Sequence, residues 1–384
     1  MKKLFLATTA LAGFATIASP ALADGLELDL EGFYRGYALF TDNDEPTGAD
    51  GLREVDVRHD AEIHFTGKTT LDNGLTVGVH AEVELASPQS DDDQTEFVDE
   101  VYAYFSGSWG RFNVGQEDGI AYLLQVAAPS ADSNIDGLRT YVQAVDTSVL
   151  TTAGVNSIVG QDNRLVFDYA QDTGEFSEKL TYITPNFSGF QAGLSWAPEV
   201  TGDPNTVTNA VAAPAADNTP GDLENLIELA ARWDGEFEGV GASFGAGYST
   251  AETEVDAGAG AVGSDDLEEW NVGLNLDFSG FELGAAYTES NNAIDNDGDT
   301  EIFVIGAGWN NGPYSVGVSY FDSETEVGAG VQEVDVDRFT FGGTYAYGPG
   351  MTFRGAVAFG EIDADSTAND RDFTQVTIGT EINF

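Results

Sequence analysis

Residues 74–85, GLTVGVHAEVEL, alternate apolar and polar side chains without a break. Leu75, Val77, Val79, Ala81, Val83 and Leu85 fall on one side of an extended chain. Thr76, Gly78, His80, Glu82 and Glu84 fall on the other. Successive side chains of a β-strand point to opposite faces, so a period of two marks a strand with one apolar and one polar face. The turn signal Asp72-Asn73-Gly74 stands at its start. The pattern recurs at 269–278, where Trp270, Val272, Leu274, Leu276 and Phe278 oppose Glu269, Asn271, Gly273, Asn275 and Asp277. It recurs again at the C-terminus, with Val376, Ile378, Ile382 and Phe384 on one side. A soluble β-sandwich shows the same alternation, so the connections have to decide between the two.

The connections are of two kinds, and they alternate. Short turns lie near 72–74, 106–110, 185–189, 235–239, 278–280, 310–313 and 348–350. Longer polar ones lie near 42–52, 87–94, 117–176, 198–222, 254–265, 291–299, 326–332 and 363–370. Fifteen connections require sixteen strands. Residues 163–169, NRLVFDY, are counted inside the long central loop, because an odd strand count would put the termini on opposite sides. All ten prolines after residue 23 fall in these connections, as expected where the other segments need every backbone N–H for pairing. Aromatic residues flank the short turns: Trp109 and Phe112, Phe187 and Phe190, Trp233 and Phe237, Phe278 and Phe281, Trp309 and Tyr314, Tyr347 and Phe353. Short turns alternating with long loops, with an aromatic girdle beside the turns, indicate an outer-membrane barrel. The expected fold is all-β: a 16-stranded antiparallel transmembrane β-barrel.

Residues 1–23 read as a signal peptide. Lys2 and Lys3 form a positive start, 4–17 an apolar core, and Ala21-Leu22-Ala23 a small-x-small cleavage site before Asp24. Residues 24–384 are then the barrel. They contain no run of about 20 apolar residues that would make a membrane helix. The chain carries 66 Asp and Glu against 14 Lys and Arg, for a formal net charge of −52; loss of Lys2 and Lys3 with the leader takes it to −54. That balance excludes nucleic acid as a partner, since phosphate binding needs basic patches. With 42% hydrophobic and 11% aromatic residues the chain is not a disordered polyanion. There is no cysteine, hence no disulfide or thiolate chemistry.

The long connection at 117–162 has no sustained strand pattern. It follows RFNVGQ at 111–116 and precedes EKLTYIT at 178–184. So long a connection implies a function, and it reads as a third external loop folded into the barrel to narrow it. It is acidic, with Glu117, Asp118, Asp132, Asp136, Asp146 and Asp162 against Arg139. Alternation places Arg35, Arg58, Arg111, Lys179, Arg232, Arg338 and Arg354 toward the lumen, since a mid-membrane Arg or Lys facing lipid costs roughly 2–4 kcal/mol. The expected constriction comprises Arg35, Arg58, Arg111, Asp118, Asp132, Asp136, Arg338 and Arg354. Either Arg35, Arg58 and Arg111 face the loop's Asp118, Asp132 and Asp136 across a transverse field, or they pair with neighbouring wall carboxylates and brace the barrel. The total charge should enrich cations near the pore.

Other chemistry is thinner. Asp295-Asn296-Asp297-Gly298-Asp299 resembles the start of an EF-hand loop, but Thr300 replaces the required glycine and Gly306 the terminal glutamate. It reads as an acidic external loop, with loose calcium or magnesium binding at Asp295, Asp297 and Asp299 as the sharper alternative. No other cofactor is expected. His64 and His80 lie on adjacent strands and both face inward, but no catalytic motif accompanies them, so the chain does not read as an enzyme. Tyr37, Tyr102 and Tyr104 are also inward; the rival to a general pore is a substrate-specific channel in which they form a track for sugars.

The signal peptide, the opening strand LELDLEGFYRGYALF at 26–40 and the turns NFSGF at 186–190 and DFSGF at 277–281 carry a resemblance, together with the long loop after the fifth strand and the terminal Phe384. In these features the chain resembles the Gram-negative general diffusion porins of the alphaproteobacterial trimeric type. The resemblance implies a homotrimer in the cell outer membrane of a Gram-negative bacterium, among its lipids and lipopolysaccharide. It implies passive diffusion of small hydrophilic solutes through an eyelet made by the third loop, and recognition of Phe384 by the barrel-assembly machinery. One feature departs: residues 117–162 contain no Pro-Glu-Phe-Gly-Gly tip of the enteric branch.

Overall fold

Sixteen antiparallel strands, each paired with its sequence neighbours, close into a barrel through the pairing of the first with the last. The computed structural model describes residues 25–43, 53–86, 98–130, 145, 167–175, 177–200, 223–254, 265–293, 298–326, 333–364 and 370–384. The strands are β1 (Glu27–Asn43), β2 (Val55–Thr70), β3 (Thr76–Ala86), β4 (Val101–Gly107), β5 (Gly110–Gln116), β6 (Glu178–Ile183), β7 (Phe190–Val200), β8 (Leu223–Phe237), β9 (Val240–Thr253), β10 (Leu267–Phe278), β11 (Phe281–Ser290), β12 (Thr300–Asn311), β13 (Tyr314–Glu326), β14 (Glu333–Gly348), β15 (Met351–Ala364) and β16 (Arg371–Asn383); a single helical turn, α1 (Ile120–Leu123), lies between β5 and β6. The seam runs from Phe33 opposite Asn383 to Asn43 opposite Phe373. Beyond it, Gly32 and Phe384 exchange both backbone hydrogen bonds, at 2.9 and 3.0 Å.

The solvation pattern is inside out. Leu28, Leu274, Phe341 and Ile378 are exposed on the outer face, while Asp60, Glu228, Asn271 and Gln375 are buried. A water-soluble domain buries the first kind and exposes the second; a barrel in hydrocarbon does the reverse. Three short turns share one chemistry. Ser188 and Gly189, Glu238 and Gly239, and Ser279 and Gly280 all take positive φ, the pairing that a two-residue hairpin needs to match strand twist. At Gly280, φ is +85° and an added Cβ would stand 2.5 Å from the Asn310 carbonyl oxygen. Gly280→Ala is therefore expected to lower stability by about 1–2 kcal/mol. The check is the temperature at which the folded barrel loses its compact migration in detergent gels.

Three details differ from the sequence expectation. Pro198, expected in a connection, lies within β7. It is tolerated because the β7–β8 ladder skips this position: Ala197 pairs with Leu226 and Glu199 with Glu224 in one register, and Asn225 between them takes φ 55°, so no registered partner needs the missing N–H. Aromatics are not confined to the short turns: exposed Trp270 meets half-buried Tyr287 at 5.1 Å and half-buried Tyr320 meets exposed Phe339 at 4.5 Å between ring centres, farther along the strands. Third, the lumen wall is not polar throughout. Ile302, Val304, Val334, Val336, Ile362 and Phe373 are buried on the inner face near the long-loop end, packed with Ala128, Phe167 and Tyr169 of the central loop. Alternation fails there because inner positions under a folded loop are core, not water-facing wall. Of residues 163–169, Phe167, Asp168 and Tyr169 are described and lie in no strand.

Candidate pore constriction

The described arms of the loop after β5, residues 117–130 and 167–175, run along the inner wall. Outward Leu194, Phe244, Leu274, Leu283 and Ile305 establish by alternation that Gly193, Gly245, Gly247, Gly273, Gly284 and Gly306 face inward. These positions are neighbours across the sheet: Gly245 pairs with Gly273, and Gly284 with Gly306. Together with Ala230, which pairs with Gly193 and Gly247, they form a track without side chains from β7 to β12. The loop fills it. A Cβ at Gly245 would stand 2.8 Å from Val126, one at Gly284 2.9 Å from Pro129, and one at Gly247 2.8 Å from the Gln171 amide oxygen. At Gly193, Gly273 and Gly306 a Cβ would overlap Ile120, the Val126 carbonyl and the Pro129 carbonyl. Ile120 and Ala121 are fully buried as a result. Reading these glycines only as members of a polar face missed the track; the signal was their clustering on β7 and on β9 to β12, with the small Ala230 on β8 between.

Hydrogen bonds fasten both arms of the loop. The Ile120 amide donates to Ser195 Oγ at 3.0 Å. Gln125 Nε2 donates to the Tyr169 carbonyl at 2.7 Å, and the Gln171 amide donates back to Gln125 Oε1 at 3.0 Å. Gln171 Nε2 reaches Ser249 Oγ at 2.8 Å on β9, and Thr288 on β11 donates to the Tyr169 carbonyl at 2.7 Å. At the root, Lys179 Nζ donates to the Glu117 carbonyl and, at 3.4 Å, to that of Glu175, so one buried cation ties the start of the loop to its end. Asn113 Nδ2 donates to the Glu117 carboxylate at 2.7 Å. Burial raises the Glu117 carboxyl against the lowering influence of Asn113 and of the Arg111 and Lys179 charges. Burial pushes Glu100 well above the usual carboxylate range, and the charges of Asp118 and Glu82 add to the effect.

The residues expected at the constriction separate into groups. Arg35 binds Glu381 at 2.9 Å and Asp60 at 3.2 Å, and Arg354 binds the same Glu381 oxygen at 2.7 Å, so β2, β1, β16 and β15 are joined by one inward charge cluster. Arg58 pairs with Asp56 at 3.1 Å on its own strand. Arg111, on β5, donates to Asn113 at 2.7 Å and to the Tyr102 hydroxyl at 3.2 Å and lies 4.2 Å above the Tyr104 ring. Arg338 is fully buried, 4.7 Å above the Phe321 ring. Asp118 stays at the loop root, its amide donating to Glu100 at 3.1 Å. Asp132 and Asp136 lie outside the described residues, as do Asp295 and Asp297; Asp299 is exposed, and its carbonyl accepts from the Glu326 amide at 2.8 Å.

A closed barrel with a lipid-facing apolar belt, polar residues inside and a loop laid along one inner wall is, as a class, a membrane channel narrowed by its own third loop. A family model of Gram-negative porins matches residues 7–379, and the chain belongs to that family. It is thus an outer-membrane channel, not an enzyme. No curated protein matches the chain in sequence. Among solved structures it is similar to the anion-selective porin from Comamonas acidovorans, with 15% identity and a TM-score of 0.60 over 94% of this chain and 100% of that one. It is similar also to a loop L8 deletion mutant of OmpT, an outer membrane protein of Vibrio cholerae, with 14% identity and a TM-score of 0.60 over 94% and 100%. An engineered variant of Rh. blastica porin matches with 18% identity and a TM-score of 0.52 over 93% and 100%. At these identities the likeness is one of fold.

Proposed function

We propose that the chain is a general diffusion porin that passes small hydrophilic solutes, prefers cations and works as a homotrimer. The observation that carries the ion preference is the wall opposite the docked loop. There Asp29, Asp60, Glu62, Glu82 and Glu381 face inward, and the basic groups among them, Arg35, Arg58, Arg354 and Lys68, are engaged by carboxylates. Uncompensated negative charge raises the local cation concentration. Reversal potentials across a potassium chloride gradient should lie on the cation side and move farther to it in dilute salt, where screening is weaker; an anion-side potential would overturn the preference. The Comamonas relative is described as anion-selective, so the side chains, not the barrel, have to set the sign. The trimer, the setting among lipids and lipopolysaccharide, and the reading of Phe384 by the assembly machinery rest on the family resemblance, and the removal of residues 1–23 on their charged start, apolar core and small-x-small site. Loose calcium or magnesium binding around Asp295, Asp297 and Asp299 belongs to the same proposal.

The charge cluster makes one further prediction. Arg35→Ala combined with Arg354→Ala leaves Glu381 and Asp60 without their cations. Cation preference should rise, seen as a reversal potential closer to the potassium equilibrium value. An unchanged potential would assign the arginines a bracing role alone. A sugar-specific channel finds less support. Tyr37 and Tyr104 are buried, at 2% and 8% exposure, and lie against Gly379 and Gly78 of neighbouring strands. Rings packed flat on glycines fill the wall and offer no stacking platform. Saturable block of the current by a sugar would reverse that judgement.

A further inference from the structure

His64 on β2 stands directly across from Glu82 on β3, and His80, two residues from Glu82, stands across from Thr66. Phe65 and Val79 are exposed on the outer surface, so both imidazoles face the lumen. His64 Nδ1 is 3.1 Å and His80 Nε2 2.8 Å from the same Glu82 oxygen. One donor atom from each of the three side chains lies within 4.8 Å of the others. The remote nitrogens are held as well: His64 Nε2 is 2.9 Å from Glu62, and His80 Nδ1 is 2.7 Å from Thr66 Oγ1. The Tyr102 ring, 5.3 Å from that of His80, and the Phe33 ring, 6.0 Å from that of His64, restrict their rotation.

We propose that His64, His80 and Glu82 form a binding site for a divalent transition-metal ion, with zinc as its reference occupant, on the lumen wall. Two imidazole nitrogens and one carboxylate suit zinc, copper or nickel and not calcium or magnesium, which take oxygen ligands. Three protein ligands leave a fourth position for water or a passing solute. The remote-nitrogen partners are those a metal-bound histidine needs: a carboxylate for His64 and a hydroxyl for His80 fix which nitrogen is free to coordinate. His64 has carboxylates against both ring nitrogens, an arrangement satisfied by a hydrogen on each. A metal ion at Nδ1 takes the place of one of them. Glu62 and Asp99, grouped with Glu82 within the same 4.8 Å limit, add negative charge that attracts the cation. All three ligands sit on paired strands, so the site needs no loop to close. Zinc bound there would occupy part of the lumen and reduce the potassium current.

The test is zinc titration of the full, untagged folded chain by calorimetry and by block of single-channel current, with magnesium as the competing ion. The expected result is one saturable zinc site per chain that a large magnesium excess does not displace, with current reduced over the same concentration range. Glu62→Gln should weaken zinc by about 10-fold or more through loss of the outer partner, and His80→Gln should weaken it further. With copper in place of zinc, paramagnetic resonance should show coupling to two nitrogens, falling to one in His80→Gln. Compact gel migration confirms that the variants are folded. Zinc binding that His80→Gln leaves unchanged, or that magnesium displaces at equal concentration, would overturn the proposal and leave only general attraction to wall carboxylates.

Discussion

Gly273→Ala combined with Gly306→Ala is expected to give an intact barrel with a lower and noisier single-channel current. At both positions the new methyl group would overlap a backbone carbonyl of the loop, of Val126 in one case and Pro129 in the other. A carbonyl cannot rotate aside as a side chain can, so the loop itself has to move into the lumen. Neither glycine has a positive φ, so alanine suits the strands, and the ladders to Gly245 and Gly284 need no change. Overpacking of this kind costs typically about 1–3 kcal/mol, all of it charged to the loop's attachment. Gly67→Ala is the control, because a Cβ there meets nothing within 4 Å. Equal conductance and equal noise in the double variant and in the control would mean that the loop does not ride on the glycine track.

Lys179→Met should have the largest effect on stability. Its ammonium is buried, donates to carbonyls at both roots of the loop, and interacts with Glu228, Asp118, Glu117 and Glu100. Glu228 is fully buried, and Lys179 is the principal positive charge acting on it. Removing one partner of a buried charge pair strands the other, which costs about 3–5 kcal/mol. Methionine keeps the packing volume and removes only the charge and the hydrogen bonds. The expected outcome is an earlier thermal transition and faster protease cleavage between 117 and 177, with the barrel strands still resistant. Wild-type melting and wild-type cleavage would contradict the assigned role of Lys179 as the loop's anchor.

Most of the barrel could be read from local sequence because each strand carries its own record. Gly74 to Leu85 states which face meets lipid, and the positive-φ pairs Ser188-Gly189 and Ser279-Gly280 state where the chain reverses. Inward orientation of Arg35, Arg232, Arg338 and Arg354 follows from the same alternation, because lipid excludes their charge. What local sequence does not carry is register between distant strands. Arg35 meets Glu381 only because β1 closes on β16, and Arg111 meets Tyr102 and Tyr104 only through the β4–β5 pairing. The apolar inner wall at Val334, Val336 and Ile362 was hidden for another reason. A strand apolar on its inner face looks the same whether it faces lipid or a loop, and Asp335 and Asp337 on the outer face of β14 reverse the expected pattern. Pro198 misled because the gap in the ladder that accommodates it depends on Asn225, a residue of a different strand. His64, His80 and Glu82 were each visible as inward residues, but their convergence on one oxygen depends on the β2–β3 register.

The account stands on an open lumen beside a permanently docked loop, and single-channel recording in a planar bilayer tests it most directly. The purified chain should give stable, ohmic conductance steps in potassium chloride, clustered in threes if the trimer holds, with a cation-side reversal potential. Absence of any step from protein that migrates as a folded barrel would contradict it, since the loop would then have to close the lumen instead of lining one side of it.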